Sequence, residues 1–265
     1  MDNRPIGVFD SGLGGLTVVK ALRKLLPNES IIYLGDTARL PYGVKSNDLV
    51  KQYSIQITKF LIQKDAKIII VACNTATATS LNILKSKFSS IPIIGVIEPG
   101  SNKAILKTKN GHIGVIGTIA TISSNAYEKS IKEKNININV VSKACPLFVP
   151  FVEEGLIEGV AINEITQYYL SVFNNNIDTL ILGCTHYPLL KKTISNYTKH
   201  ILLIDSADAV VRDAHKKLER NNLLNQNNQA GELHCYVTDR PMRFVELGNI
   251  FLGTEVINLQ VVKEF

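Results

Sequence analysis

The stretch IIIVACNTAT, residues 68–77, decides the fold. Its four leading residues are all β-branched and show no polar alternation, so they describe a strand buried on both faces, as in a parallel sheet. The chain then turns small and polar at Cys73, Asn74 and Thr75, the pattern of a strand handing over to a helix. The same handover recurs at TLILGCTHYP, residues 179–188, with Cys184 in the equivalent position.

Outward from these two stretches, short apolar runs alternate with helical patterns. Strands are expected at 6–9, 31–34, 68–72, 93–97, 112–116, 138–141, 179–182 and 201–204. In 46–64, Leu49, Tyr53, Ile57, Phe60 and Leu61 recur at helical spacing, and in 206–218 so do Ala207, Val210, Val211, Ala214 and Leu218. Ser46 and Ser206 are the expected N-caps of these helices. The fold class is therefore α/β, with mainly parallel sheets.

The chain also repeats loosely. IGVFDSGLGG at 6–15 resembles IGVIGTIATI at 113–122, an offset of 107, and VACNTAT at 71–77 resembles LGCTHYP at 182–188, an offset of 111. Near-equal offsets imply two similar domains packed about a substrate cleft. The crossings between them are expected at IPIIGVIEPGS and near IDSADAV. The first domain then takes residues 1–97 plus 207–265 and carries Cys73, and the second takes 98–206 and carries Cys184. A polar, mobile surface loop is expected at 221–232.

Composition narrows the function. The 265 residues are 45% hydrophobic, ample for two cores. Basic residues outnumber acidic ones by 29 to 23, a net charge of +6, without any run of like charge. Nucleic acid is thus not the expected partner. The four cysteines, Cys73, Cys145, Cys184 and Cys235, form no C-x-x-C pair, which argues against a zinc ribbon or a disulfide scaffold. No apolar run has the length of a membrane span or the form of a leader peptide, so a soluble, cytoplasmic protein with reduced thiols is expected.

Cys73 and Cys184 both fall at the C-terminal end of a strand, where open α/β sheets bind ligands. A helix N-terminus there is expected to lower a thiol's pKa. A lone cysteine is as readily an inert buried one, but two in duplicated positions suit one reaction class. Inverting a stereocentre through a carbanion needs a base on one face and an acid on the other. Asp10 and Ser11 end the first strand, and Gly12, Gly14 and Gly15 permit close backbone approach to a ligand. Asp10 could equally cap the following helix. Glu153 could be a solvated carboxylate. His186 could tune Cys184 or join it as a metal ligand, though no second cluster completes a metal site. Three rivals stand beside an amino-acid racemase of this kind: an aspartate-specific one, a two-lobed binding protein for small acids, and a redox or metal protein.

The motifs FDSGLGGLTV, GDTARLPYG, ACNTATA, VIGTIAT, CPLFVPFVEEG, LGCTHYPLL and IDSADAV together resemble the glutamate racemase family over nearly the whole chain. The resemblance implies proton transfer by Cys73 and Cys184, with no cofactor and no metal. It implies assistance from Asp10 near Cys73, and from Glu153 with His186 near Cys184. Substrate-binding roles carry over to Asp10, Ser11, Tyr42, Gly43, Asn74, Thr75, Thr185 and His186. It further implies glutamate as substrate, supply of D-glutamate for peptidoglycan, and a homodimer. One departure is Ile119–Ala120, where many relatives carry Pro or Gly. The flanking Thr118 and Thr121 are retained and expected to bind, with only loop stiffness changed. The chain begins a few residues before its first strand, so activation through an N-terminal extension is not expected.

Overall fold

The computed structural model describes residues 2–173 and 176–263. The outermost ends of the expected first domain, Met1 and 264–265, lie outside the described residues. In chain order the strands are β1 (Ile6–Asp10), β2 (Ile31–Gly35), β3 (Ile68–Val71), β4 (Ile93–Gly95), β5 (His112–Gly117), β6 (Asn139–Ala144), β7 (Thr179–Gly183), β8 (Leu202–Asp205), β9 (Leu233–Val237) and β10 (Leu259–Val261). The helices are α1 (Leu16–Leu25), α2 (Asn47–Gln63), α3 (Asn74–Lys87), α4 (Ile97–Lys107), α5 (Ile119–Ser123), α6 (Ala126–Lys132), α7 (Phe148–Glu153), α8 (Val160–Leu170), α9 (Lys191–Thr198), α10 (Ser206–Arg220) and α11 (Pro241–Leu252).

The strands form two sheets, ordered β10-β9-β2-β1-β3-β4 and β6-β5-β7-β8, and every described pairing is parallel. The internal repeat is explained by this order. Each sheet places its second strand, first, third and fourth side by side, and the first sheet adds β9 and β10 on the β2 edge. Register then aligns the chemistry: Phe9 pairs with Val71 in one sheet and Gly117 with Gly183 in the other. Both cysteines emerge at equivalent edges, one beside the end of β1 and one beside the end of β5.

The central strands β1, β2, β3 and β7 are buried at every position, as their uninterrupted apolar runs require. One apolar cluster runs from Ile6, Val8, Leu16 and Tyr33 on the first sheet to Phe148, Leu180, Leu182 and Tyr187 on the second. The chain crosses between sheets along α4 and again along α10, and these two helices pack on each other. α10 also lies against α1, which with β9 and β10 returns the tail to the first sheet.

Several expectations are corrected. Ile97 opens α4 instead of ending a strand: Glu98 favours the helix N-terminus, and Pro99 is tolerated in a first turn. β6 runs on to Ala144, three residues further than expected, held by pairing with β5 while its own side chains are only half-buried. Ser46 does cap α2, accepting from the Leu49 amide at 3.4 Å. At α10, however, the cap is Asp205, which accepts from the Ala207 amide at 2.9 Å, and Ser206 is the first helical residue. Residues 221–232 contain no helix or strand but are tied down: Glu29 Oε1 accepts from the Asn225 amide at 2.8 Å, and Gly231 donates to the Pro27 carbonyl at 2.9 Å. Glu29 in turn is buried against Lys67 Nζ at 2.6 Å. Removing either partner of such a buried pair costs about 3–5 kcal/mol.

Candidate active site

Cys73 follows β3 and caps α3. Its Sγ accepts from the Ala76 amide at 3.4 Å and donates to Ser11 Oγ at 3.7 Å. The helix N-terminus was expected to lower this thiol's pKa, but burial and the neighbouring Asp10 carboxylate outweigh it and push the thiol up to about 12. Cys73 therefore rests as a thiol, a proton donor.

Cys184 follows β7 and Gly183, and its Sγ lies 3.9 Å from His186 Nδ1. The other ring nitrogen, Nε2, is 3.0 Å from Glu153 Oε1 at the end of α7. Burial pulls the imidazole pKa down, but the bonds to Cys184 and Glu153 more than offset this and raise it to about 10. Both partners thus favour the protonated ring, so negative charge forming on Sγ of Cys184 meets an imidazole biased towards carrying a proton. Glu153 is engaged here, unlike the neighbouring Glu154, which is 69% exposed.

Asp10 is fully buried and does not cap α1. It accepts from the Gly12 amide at 3.0 Å and from Thr185 Oγ1 at 3.2 Å, the residue next to Cys184. Burial raises its pKa, opposed by the His186 charge and the backbone amides of Gly12 and Gly15. Asp10 therefore faces both cysteine neighbourhoods. Such closeness demands glycine at position 14, where a Cβ would lie 2.1 Å from Thr185 Oγ1 and 2.8 Å from His186 Nδ1.

One cleft is lined by Ser11, Tyr42, Gly43, Cys73, Asn74, Thr75, Thr118, Glu153, Cys184, Thr185 and His186. Asn74 Oδ1 accepts from Tyr127 Oη at 2.6 Å, while its buried Nδ2 has no protein partner among the described residues. An orphaned buried donor costs about 1–3 kcal/mol, so it suits an acceptor oxygen on a ligand. Thr75 Oγ1, in the first turn of α3, is 2.9 Å from Oγ1 of Thr118, the N-cap of α5, a hydroxyl contact between the two sheets' helix N-termini.

Three expected binding residues stand differently. Asp10, fully buried, is not among the lining residues. The Tyr42 hydroxyl is turned to Asp36, which also binds Arg39 Nε at 2.9 Å and Thr238 Oγ1 at 3.0 Å. Tyr42 therefore meets the cleft without its hydroxyl. Thr121 is not among the lining residues; it is buried behind them, 3.0 Å from Thr118 Oγ1 and 3.3 Å from Thr75 Oγ1. Sequence reasoning missed Leu40, Pro41 and Val149, which also line the cleft. All three lie inside quoted motifs, but apolar residues there carry no chemical signal. Among the described residues no group of three or more His, Cys, Asp or Glu side chains is arranged to hold a metal, and no helix is long and apolar enough to cross a membrane.

Comparison with known proteins supplies the family. The profile of the Asp/Glu/Hydantoin racemases matches residues 14–214. The glutamate racemase of Chlorobaculum tepidum is 49% identical over 260 residues, covering 97% of this chain and 96% of that one. The crystal structure of the Francisella tularensis glutamate racemase in complex with D-glutamate superposes with a TM-score of 0.94 at 45% identity, covering 99% of this chain and 98% of that one. The Thermus thermophilus glutamate racemase in complex with β-chloro-D-alanine gives 0.90 at 41%, with coverages of 99% and 98%. With relatives this similar over nearly their full length, the chain belongs to the Asp/Glu/Hydantoin racemase family, and its two-sheet α/β fold is that of the glutamate racemases.

Proposed function

We propose that this chain is an isomerase that interconverts L- and D-glutamate by proton transfer at the α-carbon, with Cys73 serving one face and Cys184 the other. The observation that carries the reading is the pair of thiols at equivalent strand ends of one cleft, each with its own acid–base partners. In the L-to-D direction Cys184 takes the α-proton, and the negative charge passing through its sulfur is balanced by the His186–Glu153 pair. Cys73, resting as a thiol, delivers its proton to the opposite face. The reverse reaction exchanges the roles, as microscopic reversibility requires. Asp10 assists by sharing charge with both neighbourhoods.

The α-proton is weakly acidic, so the cleft must stabilise the carbanion by fixed hydrogen bonds in a dry site. Asn74 Nδ2 and the hydroxyls of Ser11, Thr75, Thr118 and Thr185 supply such donors to the substrate carboxylates, with Tyr42, Gly43 and His186 shaping the rest. Thr121 supports this set from behind. The first lobe, residues 1–97 with 207–265, and the second, 98–206, each contribute one thiol. The product D-glutamate serves peptidoglycan synthesis, and hence cell shape, in the cytoplasm, and the working form is a homodimer. D-glutamate in the solved Francisella complex supports the substrate.

The test is incubation with L-glutamate in deuterated water. Inversion accompanied by deuterium at the α-carbon is expected, insensitive to chelators and to hydroxylamine and abolished by thiol alkylation. Inversion with retention of the α-hydrogen, or loss on chelation restored by one metal, overturns the reading.

A further inference from the structure

The tail helix α11 carries no motif, yet it reaches both His186, which meets the Cys184 thiol, and Glu153, which backs that histidine. Arg243 Nη2 donates to the Glu153 carbonyl at 2.6 Å and lies 3.1 Å from Glu154 Oε1. Eight residues on, Phe251 meets the His186 ring edge-on, with centroids 5.4 Å apart at 80°. α11 packs on α1 beside the first sheet, whereas α7 and His186 belong to the second, so these contacts bridge the two.

α7 spans six residues and ends at Glu153. The turn that follows satisfies the Pro150, Phe151 and Val152 carbonyls through the amides of Glu154, Leu156 and Gly155, but not the Glu153 carbonyl, and the negative end of the helix dipole coincides with two carboxylates. So short a helix contributes little stability of its own. A guanidinium meets both problems, donating to the terminal carbonyl and balancing Glu154. The Glu153 carboxylate, only 3.0 Å from His186 Nε2, depends on where that helix end is held.

We propose that Arg243 is a positioning residue for the reaction at this site: clamping the end of α7 from the opposite lobe, it keeps Glu153 on His186 and thereby orients His186 against Cys184. It touches no reacting atom. Because the clamp crosses between lobes, the Cys184 half of the site is fully assembled only when the lobes are together. The proposal rests on the two-thiol reading above.

Racemisation rates cannot test it, since an equilibrium constant of one forces equal kcat/KM in both directions. Elimination from the enantiomers of β-chloroalanine can. The base takes the α-proton, the carbon–chlorine bond breaks with release of chloride, and the 2-aminoacrylate hydrolyses to pyruvate and ammonia. Pyruvate thus reports one deprotonation on one face. Cys73→Ser and Cys184→Ser are measured first, to show which enantiomer each thiol serves. Arg243→Met is then expected to slow elimination from the enantiomer lost in Cys184→Ser by about tenfold, the scale of a small misplacement, with the other enantiomer within about twofold. Arg243→Lys, which keeps the cation, is expected to recover most of the loss. Equal slowing on both enantiomers, slowing only on the Cys73 enantiomer, no slowing, or a lysine variant as slow as the methionine one overturns the proposal. If both cysteine variants lose the same enantiomer, the two-thiol reading itself fails, visibly and before any Arg243 variant is compared, and the proposal falls with it.

Discussion

Cys73 and Cys184 occupy the same point of two sheets with the same strand order, yet they are surrounded by different chemistry. Cys73 is capped by a helix amide, bonded to a serine hydroxyl and pressed by a buried carboxylate. Cys184 faces a histidine backed by a glutamate. The shared strand order places a thiol at the same edge of each sheet, and divergence of the surrounding segments gives each thiol different neighbours.

The largest expected effect removes one side altogether. Cys73→Ser or Cys184→Ser should cut racemisation by about a thousandfold, within the range of acid–base contributions, as followed by chiral chromatography. Either variant within tenfold of the parent would break the comparison, because one thiol would then suffice.

Next comes the span between the halves. Thr75 from the Cys73 side and Thr118 and Thr185 from the Cys184 side line one cleft, and on the proposed reading the two substrate carboxylates are shared among them. Glutamate should exceed aspartate by at least about a hundredfold in kcat/KM, roughly 2.7 kcal/mol. Comparable values for the two acids would refute a clamp shared between halves.

The Cys184 side is sharpened by Glu153→Gln. Losing the carboxylate should slow turnover by about tenfold and move the alkaline limb of the pH profile to lower pH, since a neutral amide no longer favours imidazolium. Stability should follow the same group. The His186 pKa is raised on folding to about 10, so its contribution is complete below the unfolded value of about 6.5 and is lost as pH rises toward the folded one. The fall in Tm across that window should flatten in Glu153→Gln. A smaller effect is expected from Thr118→Val, which deletes one inter-lobe hydroxyl: about a fivefold rise in KM, near 1 kcal/mol, with kcat little changed. Thr121→Val, one layer back, should do less.

The sequence spoke clearly where burial was two-sided. β1, β2, β3 and β7 read as strands because no residue in them faces water. β9 did not, since LHCYV carries a histidine at its second position and follows a polar loop, and β10 is three residues on an exposed edge. What makes them strands is pairing, β9 with β2 and β10 with β9, which no local pattern encodes. The cap at Asp205 was missed because an acidic residue closing an apolar run reads equally as the last of the strand. At the cleft, residues with chemistry of their own were visible in the motifs, while partners acting at a distance were not. Asp36 takes the Tyr42 hydroxyl away from the cleft, and Arg243 arrives from a helix about ninety positions beyond Glu153.

The strand order has a consequence for how the protein is made. The second sheet is contiguous in the chain, from β5 to β8, and can finish as soon as it leaves the ribosome. The first sheet begins earlier but stays open along β2 until Leu233–Val237 is synthesised and pairs with Ile31–Gly35. The half started first is completed last. Until then the nascent chain carries a bare, apolar edge strand, the feature most prone to pairing with a neighbour. A ribosome that stops before β9 therefore releases a sticky fragment, one half finished and the other exposed, instead of a slightly shorter enzyme.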